Sequence, residues 1–565
     1  MQHASWREQL PTMLTGRDWD LVIIGGGITG AGILLEASRR GLKALLVEQR
    51  DFAWGTSSRS SKLVHGGLRY IKEGKLLLTR DSVRERQHLL QQAAGLVDAQ
   101  SFAFGDYAGR KPGRRVFAAG LALYDLLAGQ HSRGYHMADD FLMLAPHIRR
   151  EHLNGGLSYA DAKTDDARLV LRILQEAEDA GGIAANYVRV ERILREDGRA
   201  AGVELFDAAG NARHTVKARV VVNATGAWAD RLRENSAGTQ KLRPLRGSHL
   251  LLPAWRLPVA QAIGLMHPHD GRPVFMFPWE GVTLVGTTDV DHAADMQQEA
   301  AITPEEVAYL MEAIDWQFPQ LRIGLDDIIA TYAGVRPVID TGKADPSKEG
   351  RDHAVWLEDG LLTVTGGKLT TFRLIALDTL KHAAPLLPEW SADLSLRPVF
   401  EQSSPLPAHA RLNAFQRRRL QGRYGKRAAE LLASSSADEL TVIPGTETLW
   451  AELRWAARCE AVVRLDDLLL RRTRLGLQLR GGGADLMSRI RAICQPELGW
   501  DDARWGEEQD AYLNLWQKHY SLPSPMQTAY ERTPEPCHSE RSKESQASAA
   551  VPKVEIPHFV RNDSL

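Results

Sequence analysis

The sequence predicts an α/β fold: a Rossmann-like domain, a mixed-sheet domain inserted into it, and a helical domain towards the C-terminus. Three observations carry this. A glycine-rich turn joins two short apolar runs within residues 18–51. Further strand-like runs recur over about 350 residues, too widely spread for one compact half-domain. After about residue 390 the apolar residues take up helical spacing.

The first segment reads DWDLVIIGGGITGAGILLEASRRGLKALLVEQRD, from Asp18 to Asp51. LVII is a short apolar run of the kind a buried parallel strand shows. Gly25, Gly27 and Gly30 follow in G-x-G-x-x-G spacing, and a helical pattern through Ile33, Leu34, Ala37 and Ser38 closes at Gly41. KALLVE is a second strand, ending at Glu48. A lone G-x-G-x-x-G is weak evidence, but this one follows a strand, opens a helix and has an acid about twenty residues on. Gly25 permits the tight turn, Gly27 lets the backbone approach a pyrophosphate, and Gly30 lets helix and strand pack. The free amides and dipole of the helix start face the phosphates. Glu48 accepts hydrogen bonds from a ribose diol. A 2′-phosphate would meet like charge there, so the ligand is NAD or FAD rather than NADP.

A polar, glycine-bearing stretch comes next: SSRSSKLVHGGLRYI, from Ser57 to Ile71. Core formation does not require such a composition. Thr56, Ser57 and Ser61 offer donors to phosphate oxygens, and Lys62 adds charge. Gly66 and Gly67, next to His65, let the backbone come close to a flat ring. Later runs add ARVVVNATGAWAD, with Gly226 after a strand, and IIATYAGVRPVID, with Arg336 before a proline at a strand end. LLTVTGGKLTTFRLIALDTL is strand, Gly-Gly turn and helix, and brings Gly367, Lys368 and Thr370 to a second helix start. A single fingerprint with ring-contacting segments scattered along the chain points to FAD, whose extended form needs distant partners. The lack of a second fingerprint counts against reduction by NAD(P)H.

Composition excludes other classes. With 70 basic and 71 acidic residues the net charge is −1, and no basic aromatic patch occurs, so nucleic acid is not an expected partner. Cys459, Cys494 and Cys537 lie far apart without C-x-x-C spacing. Neither a disulfide framework nor a metal site is expected, and the compartment is expected to be reducing. MQHASWREQLPTML has no basic start and no apolar h-region. No apolar run reaches the roughly 18–20 residues of a spanning helix. The chain is expected to be soluble or to lie on a membrane surface, and Arg114–Gly129 is a candidate interfacial helix or a core one.

Taken together, these motifs resemble the FAD-dependent glycerol-3-phosphate dehydrogenases, the aerobic bacterial type and its mitochondrial relatives. IGGGITGAG, TSSRSSKLVHGGLRY, DDARLVL, NATGAWAD, GSHLLLP, GTTD, GVRP and GGKLTT occur in the family's order, and RLDDLLLRRTRLGL looks like its C-terminal domain. The resemblance implies a FAD-binding domain of the D-amino-acid-oxidase type and non-covalent FAD. It implies oxidation of sn-glycerol 3-phosphate at C2 to dihydroxyacetone phosphate, with hydride to flavin N5 and electrons to a membrane quinone. It also implies peripheral attachment to the inner, cytoplasmic face of the cell membrane, and leaves a homodimer open. The expected boundaries are 18–95, 150–245 and 330–390 for a discontinuous FAD-binding domain, and 96–149 and 246–329 for a substrate domain. Residues 391–520 form the helical domain. The polar tail 521–565 has no counterpart in the family and is expected to lack order.

Within that frame Arg69 and Arg336 are candidate forks on the substrate phosphate, with Tyr70 adding a hydroxyl. Lys368 serves the substrate or the flavin N1–C2=O edge, where charge develops. His249 and His65 are the histidines available as general base. Arg336, His249 and Lys368 are the catalytic candidates. Three alternatives stay open: an oxidase that passes the electrons to oxygen, another FAD-dependent 2-hydroxy- or amino-acid oxidoreductase of the same fold, and a flavin-binding regulatory or RNA-associated protein without turnover.

Overall fold

The computed structural model describes residues 5–111, 113–233, 242–340, 342, 352–524 and 526, the side chains of Ser5, Arg69 and Lys72 excepted. Among them the strands are β1 (Trp19–Ile24), β2 (Ala44–Val47), β3 (Leu63–Val64), β4 (Val97–Tyr107), β5 (Gly134–Met137) and β6 (Leu153–Thr164). Next come β7 (Ile183–Ala185), β8 (Val188–Glu196), β9 (Arg199–Asp207), β10 (Ala212–Asn223), β11 (Leu242–Pro253) and β12 (Ala262–Met266). The last six are β13 (Pro273–Trp279), β14 (Val282–Gly286), β15 (Val290–Asp291), β16 (Ala330–Ile339), β17 (His353–Glu358) and β18 (Leu361–Gly366).

Two sheets result. The first has the order β17-β18-β10-β1-β2-β7, with β9 and β8 continuing from β10. Its centre is parallel, β1 lying between β2 and β10. That burial explains why LVII and ALLV are apolar without alternation. Chain leaving β1 turns one way to β2, and β10 lies on the other side. The carboxyl ends of β1 and β10 therefore flank a topological switch point, where α/β folds bind ligands. The Ile28–Ser38 helix covers one face. At Gly32 it meets the Phe372–Ala383 helix so closely that a Cβ would stand 2.8 Å from the Phe372 ring.

The second sheet has the order β15-β11-β14-β13-β12-β4-β6-β3, with β16 on β11 and β5 on β6. It is antiparallel except where β12 pairs β4. Its membership differs from the expected boundaries: β3, β6 and β16 fall in segments assigned to the FAD-binding domain, yet they pair in this sheet. Apolar periodicity identifies a strand but not its partner. β16 lies against β11 for ten residues, from Ile339 beside Leu242 to Ala330 beside Leu251. Arg336 accordingly sits inside a strand rather than at its end. Pro337, opposite Pro244, is tolerated because β16 is an edge.

Helices dominate beyond residue 413: Ala414–Tyr424, Ala428–Ala433, Trp450–Cys459, Met487–Leu498 and Asp502–His519. They share one core with the second sheet, Trp450, Leu453 and Leu469 being clustered with Phe102, Tyr159 and Trp279. Ser521 still belongs to this body, its carbonyl accepting from Thr331 Oγ1 at 3.1 Å. The rest of the expected tail, from 527 on, lies outside the described residues.

Candidate active site

The glycine fingerprint forms a tight cradle at the end of β1. A Cβ at Gly30 would lie 1.9 Å from the Gly25 carbonyl, and one at Gly25 would lie 2.6 Å from the Ala224 carbonyl. Gly25 also has φ +115°, a conformation that side chains disfavour. The Glu48 carboxylate stands beside this turn, accepting the Gly26 amide at 2.7 Å and the Arg50 amide at 2.9 Å. Burial raises its pKa, and the two amides oppose the shift. Each oxygen keeps lone pairs for a diol. Among the remaining expected contacts, Gly226 has φ +59° with open space where a Cβ would stand, and its carbonyl accepts from Thr365. Steric room for a pyrophosphate, a helix start aimed at it and an acid placed for a ribose all fit a dinucleotide.

The Thr56–Lys62 loop differs in detail from the expectation. Ser57 Oγ accepts the Ile28 amide at 2.9 Å and so caps the first helical turn. Thr56 gives its hydroxyl to the Val335 carbonyl. Lys62 is wholly buried, its ammonium held by Asp166 at 3.0 Å and by the Ser58 carbonyl at 3.0 Å. Burial, and then Arg474, push its pKa down to about 8 against the pull of Asp166 and Asp165. Its charge is thus spent inside the protein rather than offered to a phosphate. Gly66 is also differently employed. Its amide donates to Tyr124 Oη at 2.9 Å and Asp161 at 3.1 Å, and Val83 and Tyr124 fill the space beside it.

One face of the second sheet lies against this loop. Side chains at alternate strand positions share a face. That puts Gly247 and His249 of β11 with Tyr332, Gly334 and Arg336 of β16, and Gly286 opposite His249 on β14. The three glycines make the floor. A Cβ would lie 2.2 Å from Arg336 Nη2 at Gly247, 2.1 Å from His249 Cδ2 at Gly286, and 2.4 Å from the Arg59 carbonyl at Gly334. Arg336 is held by Asp289 at 2.7 Å and Thr287 Oγ1 at 3.1 Å. His249 is 1% exposed, stacks on Tyr332 with 4.5 Å between ring centres, and shares a hydrogen bond of 2.9 Å with Ser61 Oγ through Nε2. Burial, then Arg336 and Lys62, hold its pKa well below 6.5. Nδ1 is buried without a hydrogen-bond partner among the described residues.

A second group gathers at the Gly-Gly-Lys turn. Gly366 and Gly367 have φ near +77° and +76°. Lys368 Nζ lies 3.6 Å from the centre of the buried Tyr70 ring and donates to Ser82 Oγ at 3.0 Å. It would stand 3.1 Å from a Cβ at Gly67. Thr370 ties the turn to the opening stretch by donating to the His65 carbonyl at 3.1 Å. The segment from Ser61 to Gly67 thus runs from the His249 face to the Lys368 cluster. Arg69 follows in the Leu68–Lys72 helix, its side chain outside the described residues.

Several residues at the site carry no role in the sequence reading. Asp166 accepts the Ser60 amide at 2.9 Å, the Ser60 hydroxyl at 2.7 Å, Lys62 and Arg474. Asp51 is gripped by Arg472 at 2.6 and 2.7 Å and by Arg471. Burial pushes Asp51 up, but the two guanidinium groups outweigh it and hold it at about 2. The motifs DDARLVL and RLDDLLLRRTRLGL contained the signal. An acid pair before an apolar helix, however, reads as an N-cap, which Asp165 indeed is, and so hides Asp166.

This cradle and loop match the model of the FAD dependent oxidoreductases over residues 20–373, and residues 399–505 match the C-terminal domain of alpha-glycerophosphate oxidase. The fold is that of L-alpha-glycerophosphate oxidase from Mycoplasma pneumoniae, 17% identical with a TM-score of 0.53 over 66% of this chain and 95% of that one. Fold and site define a FAD-dependent oxidoreductase. The glycerol-3-phosphate dehydrogenase from Bacillus halodurans, solved with FAD, is 28% identical, with a TM-score of 0.71 over 91% of this chain and 98% of that one. Aerobic glycerol-3-phosphate dehydrogenases are 33% identical in Staphylococcus saprophyticus (83% of this chain, 88% of the relative) and 39% identical in Bacillus subtilis (66% and 67%). The chain belongs to the family of aerobic, FAD-dependent glycerol-3-phosphate dehydrogenases.

Proposed function

We propose that the protein oxidises sn-glycerol 3-phosphate at C2 to dihydroxyacetone phosphate and passes the electrons to a membrane quinone. The observation that carries this is the Arg336 guanidinium laid over Gly247 on the same sheet face as His249, a cation next to a neutral imidazole. Such a pair suits an anionic alcohol. The arginine fork grips phosphate or the developing alkoxide, and the neutral imidazole accepts a proton at Nε2, where Ser61 is hydrogen-bonded. FAD, held by Gly25, Gly27, Gly30, Glu48 and the loop at Thr56–Ser57, supplies the hydride acceptor. Asp289 and Thr287 fix the direction of the Arg336 fork. Lys368, braced on Tyr70 and Ser82, places a second positive charge near Gly67, at the start of the helix that carries Arg69.

Membrane attachment is read from the surface. Among the described residues no helix is long and apolar enough to cross a membrane. The Arg114–Ala128 helix buries Leu121 and Tyr124 but leaves Val116 and Leu126 67% and 75% exposed on its other side. Exposed Met137 lies near Arg114, both lining a cleft of about 560 Å³ with Arg110 and Tyr135. Apolar side chains beside exposed Lys111, Arg114 and Arg115 suit an anionic lipid surface.

Anaerobic titration of the purified protein with glycerol 3-phosphate, followed at the flavin absorption band, tests the reaction. Bleaching at one equivalent is expected, with little from glycerol or lactate. Bleaching by phosphate-free 2-hydroxy acids instead would reject the substrate. Reoxidation by a soluble quinone faster than by oxygen is the expected acceptor result, and fast peroxide formation would make the protein an oxidase.

A further inference from the structure

His249 is sealed. Its Nδ1 meets neither solvent nor a hydrogen-bond partner among the described residues, and its Nε2 is taken by Ser61. A general base must reach the proton it removes, directly or through one bridging group. This imidazole has one hydrogen-bonded exit, the Ser61 hydroxyl. Ser61 itself is half-buried, on the loop that lies across the Arg336 face. Neighbours hold it firmly. The adjacent Ser60 gives its amide and hydroxyl to Asp166, and its carbonyl accepts from Tyr332 Oη at 2.8 Å. The Tyr332 ring then stacks on His249, so the same residue that fixes the loop fixes the imidazole plane.

We propose that Ser61 is a catalytic residue rather than a cofactor ligand, and that it carries the proton of the substrate hydroxyl to His249. The proposal rests on the reading of His249 as the proton acceptor. The C2 hydroxyl proton passes to Ser61 Oγ while the serine's own hydrogen passes to Nε2. The hydrogen on C2 leaves with its electron pair to bound FAD, and the C2–O bond becomes C=O. The alcohol loses one proton and one hydride; the proton stays on the imidazole and the two electrons on the cofactor. Burial, and then Arg336 and Lys62, disfavour the imidazolium, so the proton returns through Ser61 once the product has gone.

The test uses the FAD-loaded enzyme with Ser61→Ala, Ser61→Thr, His249→Gln and the Ala/Gln double variant. FAD content is read first, then the anaerobic rate of flavin reduction. Ser61→Ala is expected to keep its FAD and to slow reduction at least about tenfold, with Ser61→Thr recovering most of the rate. The double variant should be no slower than the slower single, because groups that act as a unit are not additive. Loss of FAD from Ser61→Ala would return the residue to the cofactor. A wild-type rate in Ser61→Ala with a slow His249→Gln would mean that His249 is reached directly. A wild-type rate in His249→Gln would remove the acceptor reading itself. Independently of turnover, deuterium exchange at histidine Cε1, followed by mass spectrometry, should be much slower at His249 than at His131, whose side chain is 76% exposed. Equal rates would show that the ring needs no relay.

Discussion

Arg336 is the side chain on which the proposed chemistry depends most directly. It points across Gly247, where any larger residue would collide with it, and leans on Asp289. Losing a charge-assisted hydrogen bond to substrate costs roughly 1.5–3 kcal/mol, and 1.4 kcal/mol is a factor of ten. Arg336→Ala is expected to lower kcat/KM at least about tenfold with FAD retained. Arg336→Lys should recover only part, since an ammonium keeps the charge but loses the planar fork. A rise in KM alone would mark uniform phosphate binding; a fall in kcat as well would mark stabilisation of the alkoxide. His249 gives a prediction of a different kind. Burial with Arg336 and Lys62 keeps it neutral in the folded protein, whereas the unfolded chain takes a proton there below about pH 6.5. More protons on the unfolded state mean that stability is present above that pH and is lost as the pH falls through it. Half-buried His292 and buried His519, also shifted down by burial, add to the loss. The melting temperature should therefore drop between pH 7 and 5.5, and the drop should be shallower in His249→Gln.

Among the elements, the Asp467–Arg472 turn and Arg474 do the work of a clamp. Arg471 and Arg472 close on Asp51, and Arg474 closes on Asp166, so helical residues late in the chain hold the loop proposed to meet the cofactor. Breaking a buried ion pair by removing one partner costs roughly 3–5 kcal/mol. Arg472→Gln is expected to lower the melting temperature by several degrees and to release FAD more readily. An Asp51→Asn change added to it should cost less than it does alone. Equal FAD retention and melting in Arg472→Gln would reject the clamp. The parallel core and the Gly-Gly-Lys turn were legible because local spacing alone defines them. Glu48 was legible because its distance from the fingerprint follows from one βαβ unit. The sheet membership of β6 and β16 was not, since pairing partners lie beyond the reach of periodicity. The burial of Lys62 was not legible for a related reason: a lysine among serines looks solvated until the acid that pairs with it, more than a hundred residues away, is in place.

At the scale of the whole molecule, both sheets and the helical region form one body, and its surface decides where it works. Val116 and Leu126 lie on the outer side of their helix, so changing them leaves the buried Leu121 and Tyr124 contacts intact. Each apolar side chain buried in lipid is worth about 1.5–3 kcal/mol. The Val116→Ser, Leu126→Ser double variant should lose at least about tenfold in binding to anionic vesicles at unchanged FAD content. Undiminished vesicle binding would place the membrane contact elsewhere.

The clamp also bears on how the protein is made. Asp51 and Arg472 are separated by 421 positions. At about 5–20 residues per second of synthesis, the aspartate waits roughly 20–80 s for its counter-ion. Until then it cannot be buried without leaving a bare charge in the interior, whereas Asp166 already has Lys62 as a counter-ion made before it. In the nascent N-terminal part the segment at Asp51 is therefore expected to stay hydrated. Stable capture of the flavin is then expected late in biogenesis, after the Asp467–Arg472 segment has emerged.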